Sequence, residues 1–313
     1  MKLFLKKILL FALPILVILT VIFFKRTNRE FNYNYIKGDC DARGKLFYKK
    51  LSGDCNNIDY LFVGSSKTMN GINDGLIDDS LNTGDTASLH LYNAGYCRFG
   101  RNLDYLYCKE FAYKNKIKKI FLEVRSDEST ISHPMFAYLA DGYEILEGIT
   151  ALNPKIFAEI YNHTLMNVNA ARCVLKLEKS EKNKEKLQLH GWNNIDRILP
   201  KSELDKFYET EKKKQTESPV NTQAFEYIYS DFYLEKIRAL CEERNIELNF
   251  VYLASFGNVS KKPAFKTKYE KWGKVIIGPD SIFSNPLYFK DVAHFNTTGS
   301  IAYSNFLAKE LSR

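Results

Sequence analysis

From Ile8 to Phe24 every residue is apolar except Thr20. A run of that length and purity leaves the chain one economical local solution, a helix that crosses a lipid bilayer with all its backbone groups paired internally. Pro14 is tolerable there, because lipid-embedded helices re-satisfy a freed carbonyl. Lys2, Lys6 and Lys7 precede the run, and Lys25, Arg26 and Arg29 follow it. A cleavable signal peptide has a shorter apolar core and a small-x-small cleavage site, whereas this run ends Ile22-Phe23-Phe24-Lys25. Residues 1–26 therefore read as an uncleaved, single-pass signal-anchor, with residues 8–24 in the membrane. A helix buried in a soluble core is the alternative, and apolar character on every face with cations at both ends counts against it. Cations on both flanks also give the positive-inside rule little contrast.

The remainder of the 313 residues is 45% hydrophobic over the whole chain and rich in aromatics, the composition of a folded protein. A formal charge of +8 invites a nucleic-acid reading. Much of the excess, however, sits in the anchor flanks and in lysine-rich stretches such as Lys179 to Lys186 and Lys212 to Lys214, which are interleaved with Glu. That is the pattern of a solvated helix face, so no nucleic-acid partner is expected; an anionic membrane or an acidic glycan fits the same charge. The six cysteines contain no C-x-x-C, which removes a zinc ribbon or a thioredoxin motif. Cys40 and Cys55 each follow Gly-Asp in a polar stretch after the anchor, and either form a small disulfide loop in an oxidising compartment or stay unpaired.

After a linker at 27–57, Ile58 to Val63 reads as a buried strand and Ser88 to Tyr92 as a second. Asn102 to Lys116 has helical spacing and Lys118 to Val124 strand character; Phe225 to Asn245 and Glu247 to Leu253 repeat that pair. Lys274 to Ile277 is a further short strand, and a last helix runs from about Thr298 to Leu311, with Thr297 or Thr298 as its cap. Such alternation predicts an α/β domain over 58–313, a three-layer sandwich around a mostly parallel sheet. The interval 131–220 fits the alternation poorly and reads as a helical insertion or cap over the ligand edge of the sheet.

In such sheets ligands gather at the carboxyl ends of the strands. Ser65, Ser66, Asn93 and Gly95 all fall there. A serine hydroxyl becomes a nucleophile when a histidine accepts its proton and a carboxylate fixes the tautomer of that histidine. Of the five histidines, only His294 has a carboxylate nearby in a loop leading into a helix, Asp291-Val292-Ala293-His294. The offset lets one turn present both side chains on one side.

In order and context these blocks resemble the SGNH (GDSL-like) hydrolases, whose fold is flavodoxin-like. Tyr60-Leu-Phe-Val-Gly64-Ser65-Ser66-Lys-Thr is similar to their first block, and its third small position makes Ser66 the nucleophile. Asn93-Ala-Gly95 is similar to the glycine block, Phe289-Lys-Asp291-Val-Ala-His294 to the last. The resemblance implies a Ser66, His294, Asp291 triad, an oxyanion hole using the Ser66 and Gly95 amides, supporting roles for Gly64 and Asn93, and no metal or other cofactor. One departure stands out: where the family has Gly-x-Asn-Asp after the third strand, this chain reads Glu123-Val-Arg125-Ser126-Asp127. Arg125 or Ser126 is then expected to replace the asparagine donor. An anchored domain of this kind resembles members that O-acylate cell-envelope polymers, which implies an extracytoplasmic esterase or acyltransferase acting on an acylated glycan or small ester. The alternative is an inactive SGNH fold that binds glycan or a partner within an envelope-assembly complex.

Overall fold

The computed structural model describes residues 2–36, 41–53, 57–83, 89–126, 128, 132–175, 190–214, 227–257, 263 and 265–312. Five strands, β1 (Tyr60–Gly64), β2 (Leu91–Gly95), β3 (Lys119–Val124), β4 (Glu247–Tyr252) and β5 (Val275–Ile277), make one sheet in the order β2-β1-β3-β4-β5. Every pairing is parallel, with Tyr60 opposite both Leu91 and Lys119, Lys119 opposite Glu247, and Phe250 opposite Val275. A parallel sheet is covered on both faces, so its strands need consecutive rather than alternating apolar residues. Leu61, Phe62 and Val63 in β1 and Ile120 to Leu122 in β3 meet that demand and are buried.

Before the sheet come α1 (Lys2–Phe24), α2 (Arg29–Tyr35) and α3 (Asp41–Ser52). Within and around the sheet run α4 (Ser66–Gly71), α5 (Asp74–Leu81), α6 (Arg101–Lys114), α7 (Phe136–Leu139), α8 (Gly142–Glu147), α9 (Ile156–Val174) and α10 (Lys201–Lys214). The rest are α11 (Ile228–Glu243), α12 (Lys266–Trp272), α13 (Asp280–Phe283) and α14 (Thr297–Leu311). Helices α6 and α11 pack together, as do α5 and α14, so helices flank the sheet on both sides.

Several expectations shift. The second strand starts at Leu91, because both amide ends of the Asn82 side chain bond Leu89, at 2.8 Å each, and hold it out of the ladder. Residue 88 lies outside the described residues, as do Cys40, Cys55, Asp127 and the 179–186 tract. The last helix is capped by Asn296 rather than by Thr297 or Thr298: its Oδ1 accepts from Gly299 N at 3.0 Å. The stretch 27–57, expected as a linker, is built into the core over its described part. Tyr33, Ile36, Phe47 and Leu51 are buried, and the Phe47 ring meets Tyr92, Tyr96, Tyr107 and Phe111. Its polar residues concealed this, since helices α2 and α3 each contribute only a narrow apolar stripe.

Strand β2 is an edge, and an edge left bare invites pairing with another chain. Arg43 of α3 closes it: the buried guanidinium donates to the carbonyls of Asn93 (2.8 Å), Gly95 (2.9 Å) and Gly191. Gly191 lies so close that a Cβ there would meet Asn93 O at 1.9 Å.

Helix α1 is a candidate membrane span, with mean hydropathy 2.7 over Lys6–Phe24 and 6% of its apolar window buried. A single-pass anchor is expected to project from its domain with no contact to the core. The last turn of α1 is instead fastened to α9. The Asn167 amide donates to Ile22 O at 2.9 Å and lies 3.3 Å from Phe23 O and Lys25 O, while the His163 ring meets the buried Phe23 ring edge-on. Ile22 and Phe23 belong to the last turn of α1, whose carbonyls have no i+4 amide within the helix. Arg26 adds an ion pair with Asp141 at 3.2 Å. Replacing Asn167 with Ala removes that donor, so trypsin should cut the solubilised full-length protein after Lys25 or Arg26 several-fold to about tenfold faster. An unchanged cleavage rate would mean that Asn167 does not hold the junction.

Candidate active site

Because β1 leads to β2 on one side and its other neighbour β3 leads to β4 on the opposite side, the connections leaving β1 and β3 diverge, and a crevice opens at their carboxyl ends. Ser66 follows β1 and Arg125 follows β3. The β1–α4 turn starts at Gly64, where no side chain fits: a Cβ would sit 2.4 Å from both Glu123 Cβ and Thr68 Oγ1. Ser65 then caps α4, its hydroxyl accepting from Lys67 N at 3.2 Å. Ser66 is the first helical residue, so its amide has no intrahelical acceptor.

The opposing loop is 228 residues away in sequence. Phe289 and Phe295 form an isolated antiparallel bridge with their rings 4.7 Å apart, and Lys290 N donates to His294 O at 3.0 Å, so residues 289–295 close on themselves. Within that loop Asp291 Oδ1 accepts from the amides of Ala293 and His294 at 2.9 Å each, which turns the carboxylate toward the imidazole. His294 Nδ1 lies 2.8 Å from Asp291 Oδ1 and 3.1 Å from Oδ2, and Nε2 lies 2.7 Å from Ser66 Oγ. With Nδ1 protonated toward Asp291, Nε2 is free to accept the serine proton. Burial alone would raise the Asp291 pKa; the hydrogen bond and charge of His294 and the two amides outweigh it and bring it to about 2.

The other expected site residues divide. Asn93 supports the site from beneath, its buried amide donating to Thr68 O (2.8 Å) and Ile72 O (2.6 Å) and so tying α4 to β2. The Gly95 amide, expected in an oxyanion hole, donates instead to Asn93 Oδ1 at 2.8 Å. Glycine is needed there for close packing, because a Cβ would lie 2.3 Å from Met69 N. Arg125 stacks its guanidinium over Phe99, 4.4 Å to the ring centre, and its amide donates to Glu128 Oε1 at 3.2 Å. Ser126 is exposed and its hydroxyl meets Tyr252. Among the described hydrogen bonds, neither reaches Ser66 or His294.

Two residues of the site escaped the sequence reading. Lys67 reaches across the crevice to Leu253 O (3.1 Å) and Ser255 Oγ (2.8 Å), beyond β4. Burial is the main cause that lowers its pKa to about 8, with Glu123 opposing and Arg125 adding to the fall. Glu123, wholly buried near the end of β3, accepts from both Ser65 and Thr68. A carboxylate inside the apolar run Lys119–Val124 was the available signal, since buried acids are rare unless partnered.

The expected insertion splits: α7–α9 gather at the end of the anchor, while residues 190–200 run past the site. Asn193 N donates to Met69 O (3.0 Å), Thr297 N to Ile195 O (2.9 Å) and Leu199 N to Phe289 O (2.7 Å), so this strap joins α4 to the histidine loop. Of the cysteines, Cys97 beside the site is disulfide-bonded, and Cys108, Cys173 and Cys241 are free.

The depressed pKa of Asp291 has a measurable consequence. An unfolded Asp titrates near ~3.9, so between there and about 2 the unfolded chain binds the extra proton. The contribution of the pair to stability is therefore present above about pH 4 and lost as pH falls through about 2. The stability gap between wild type and Asp291→Asn should be constant above ~pH 5 and close toward pH 2 in denaturant titrations. A gap that ignores pH over that window would show that the contact contributes nothing.

No protein-family model matches the chain, and no curated protein matches it.

Proposed function

We propose that the chain is a membrane-anchored, extracytoplasmic serine esterase or O-acyltransferase of the SGNH type, acting on an acylated envelope glycan or a similar ester. The observation that carries this reading is the Ser66–His294–Asp291 line, 2.7 Å and 2.8 Å, at the carboxyl edge of a doubly wound parallel sheet. In the reaction Ser66 Oγ attacks the ester carbonyl while His294 Nε2 takes its proton, and Asp291 stabilises the imidazolium. Collapse of the tetrahedral intermediate breaks the bond to the leaving alcohol, which receives the proton from His294 and leaves an acyl-Ser66 ester. Water or a sugar hydroxyl then attacks that ester with His294 again as base, giving hydrolysis or transfer.

The Ser66 amide serves the oxyanion. With the Gly95 amide bonded to Asn93, a second donor has to come from the loop after β3, and Arg125 swinging from Phe99, or Ser126, fills that role. The chain around Ser66 supports an oxidising location through the Cys97 disulfide, and α1 supports attachment to the membrane. A second reading, an inactive SGNH fold that binds glycan or an envelope-assembly partner, is favoured by the committed Gly95 amide and by the absence of an asparagine after β3.

A fluorophosphonate serine probe separates the two. Wild type should label and Ser66→Ala should not; equal labelling, or none in wild type, would remove the esterase reading. For an active protein, Arg125→Ala should lower kcat by about a hundredfold with a smaller change in KM, as loss of an oxyanion donor does. A change in KM alone would give Arg125 a role in binding only.

A further inference from the structure

The carboxylate of Glu123 is fully buried, and a buried charge of this kind is retained only where enough donors converge on it. Among the described residues, all the side-chain and amide hydrogen-bond donors to it come from one turn. Ser65 N donates to Oε2 at 2.8 Å, and the Ser65 hydroxyl lies 2.9 Å from both oxygens. Thr68 donates to Oε2 twice, from its hydroxyl at 2.7 Å and its amide at 3.2 Å. These two residues bracket Ser66 and Lys67. The carboxylate also occupies the space beside Gly64, where a Cβ would stand 2.6 Å from Oε2.

From this geometry we infer that Glu123 is the positioning residue for Ser66: its carboxylate holds the β1–α4 turn in the conformation that presents Ser66 Oγ to His294. The inference deepens the proposed function at the same site, but its geometric half stands without any catalysis.

The other ties to α4 act past Ser66, with Lys67 reaching the end of β4, Asn93 holding Thr68 O and Ile72 O, and Asn193 holding Met69 O; among the described partners outside the turn, Glu123 alone also grips Ser65, the residue before it. A strand-to-helix turn anchored only by its cap would tie Ser65 to Lys67 and leave the azimuth of α4 about its axis free. Thr68 lies two residues past Ser66, so it points away from Ser66 across the helix, and clamping it from below sets where Ser66 points above. Ionisation of Glu123 is required, since a protonated carboxyl could not accept from every one of these donors. Burial works against that ionisation, and Arg125, Thr68, Lys67 and Ser65 together overcome it, leaving the Glu123 pKa below the usual range. Glutamine in its place removes the charge and puts an NH2 group against the Ser65 hydroxyl, which must then turn from donor to acceptor.

Glu123→Gln in the full-length, solubilised protein is the test. Fluorophosphonate labelling of Ser66 should slow by about a hundredfold, the cost of displacing a reacting group by about 1 Å, while the melting temperature shows the chain still folded. Glu123→Asp, which restores two acceptor oxygens at shorter reach, should recover at least about tenfold of that loss. A crystal structure of Glu123→Gln should show Ser66 Oγ beyond about 3.5 Å from His294 Nε2. Labelling within about threefold of wild type, no recovery in a folded Glu123→Asp, or a Ser66–His294 contact kept near 2.7 Å would each overturn the inference. Should Glu123→Gln fail to fold, Thr68→Val removes one donor in its stead and should slow labelling by about tenfold; no slowing overturns the inference equally. If wild type itself does not label, the esterase reading falls, and the crystal structure alone decides the placement of Ser66.

Discussion

Burying one carboxylate under the middle of a parallel sheet edge constrains everything built above it. Glu123 cannot be left without donors, because an unpartnered buried charge costs several kcal/mol. The donors it finds are local to the β1–α4 turn, and this dictates residue types there: no side chain at 64, a hydroxyl at 65, a hydroxyl at 68. Two cations complete the balance. Lys67 carries the constraint onward by bridging to Leu253 and Ser255, so the end of β4 is held against the same turn. Arg125, stacked on Phe99, adds its charge from the end of β3.

The second half of the site arrives from far along the chain, and parallel topology is what makes the meeting possible. All five strands point their carboxyl ends the same way, so segments that leave β1, β3 and β4 emerge on one edge. The histidine loop is not part of that sheet and needs its own support. It receives it from the Phe289–Phe295 bridge, from Asn296 capping α14, from Phe256 N donating to Val292 O at 2.9 Å, and from the strap at 190–200. Each of these contacts fixes the position of the loop without touching the imidazole, so the ring keeps both nitrogens for Ser66 and Asp291.

Much of this was legible in the residues alone, for reasons that also explain the rest. Strands β1, β3 and β4 were readable because burial on both faces forces consecutive apolar residues, and β5, with Ile277 exposed at the sheet edge, was readable from its short apolar run alone. Ser66, Asp291 and His294 were readable because position after a strand, and a three-residue offset in a loop, are local properties. Gly95 was misread because glycine answers two questions, a free amide or a close approach, and only the Met69 backbone beside it separates them. The role of Glu123 was illegible, since its donors lie in a neighbouring strand connection. The stretch 27–57 was misjudged on polarity: Arg43 and Phe47 sit one helical turn apart, and only in three dimensions does one cover a sheet edge while the other enters the core.

Packing explains Gly64, Asn93 and Gly95 without any chemistry, so those residues by themselves carry little weight for function. The contrast between the two adjacent serines carries more. Ser65 has its hydroxyl consumed by Glu123 and by its cap, which is a complete structural account. Ser66 contributes nothing to cap, strand or core; among the described residues its hydroxyl meets only His294 Nε2. A histidine serving merely as a surface partner for a serine needs no second acceptor, yet Asp291 is held by two amides in the one orientation that engages Nδ1. That arrangement fixes a tautomer and leaves the other nitrogen facing the Ser66 hydroxyl, which is what the proposed reaction needs. The loop 289–295 and Ser66 therefore hold the groups that the proposed reaction uses, while the packed residues beneath them determine only how accurately the two halves meet.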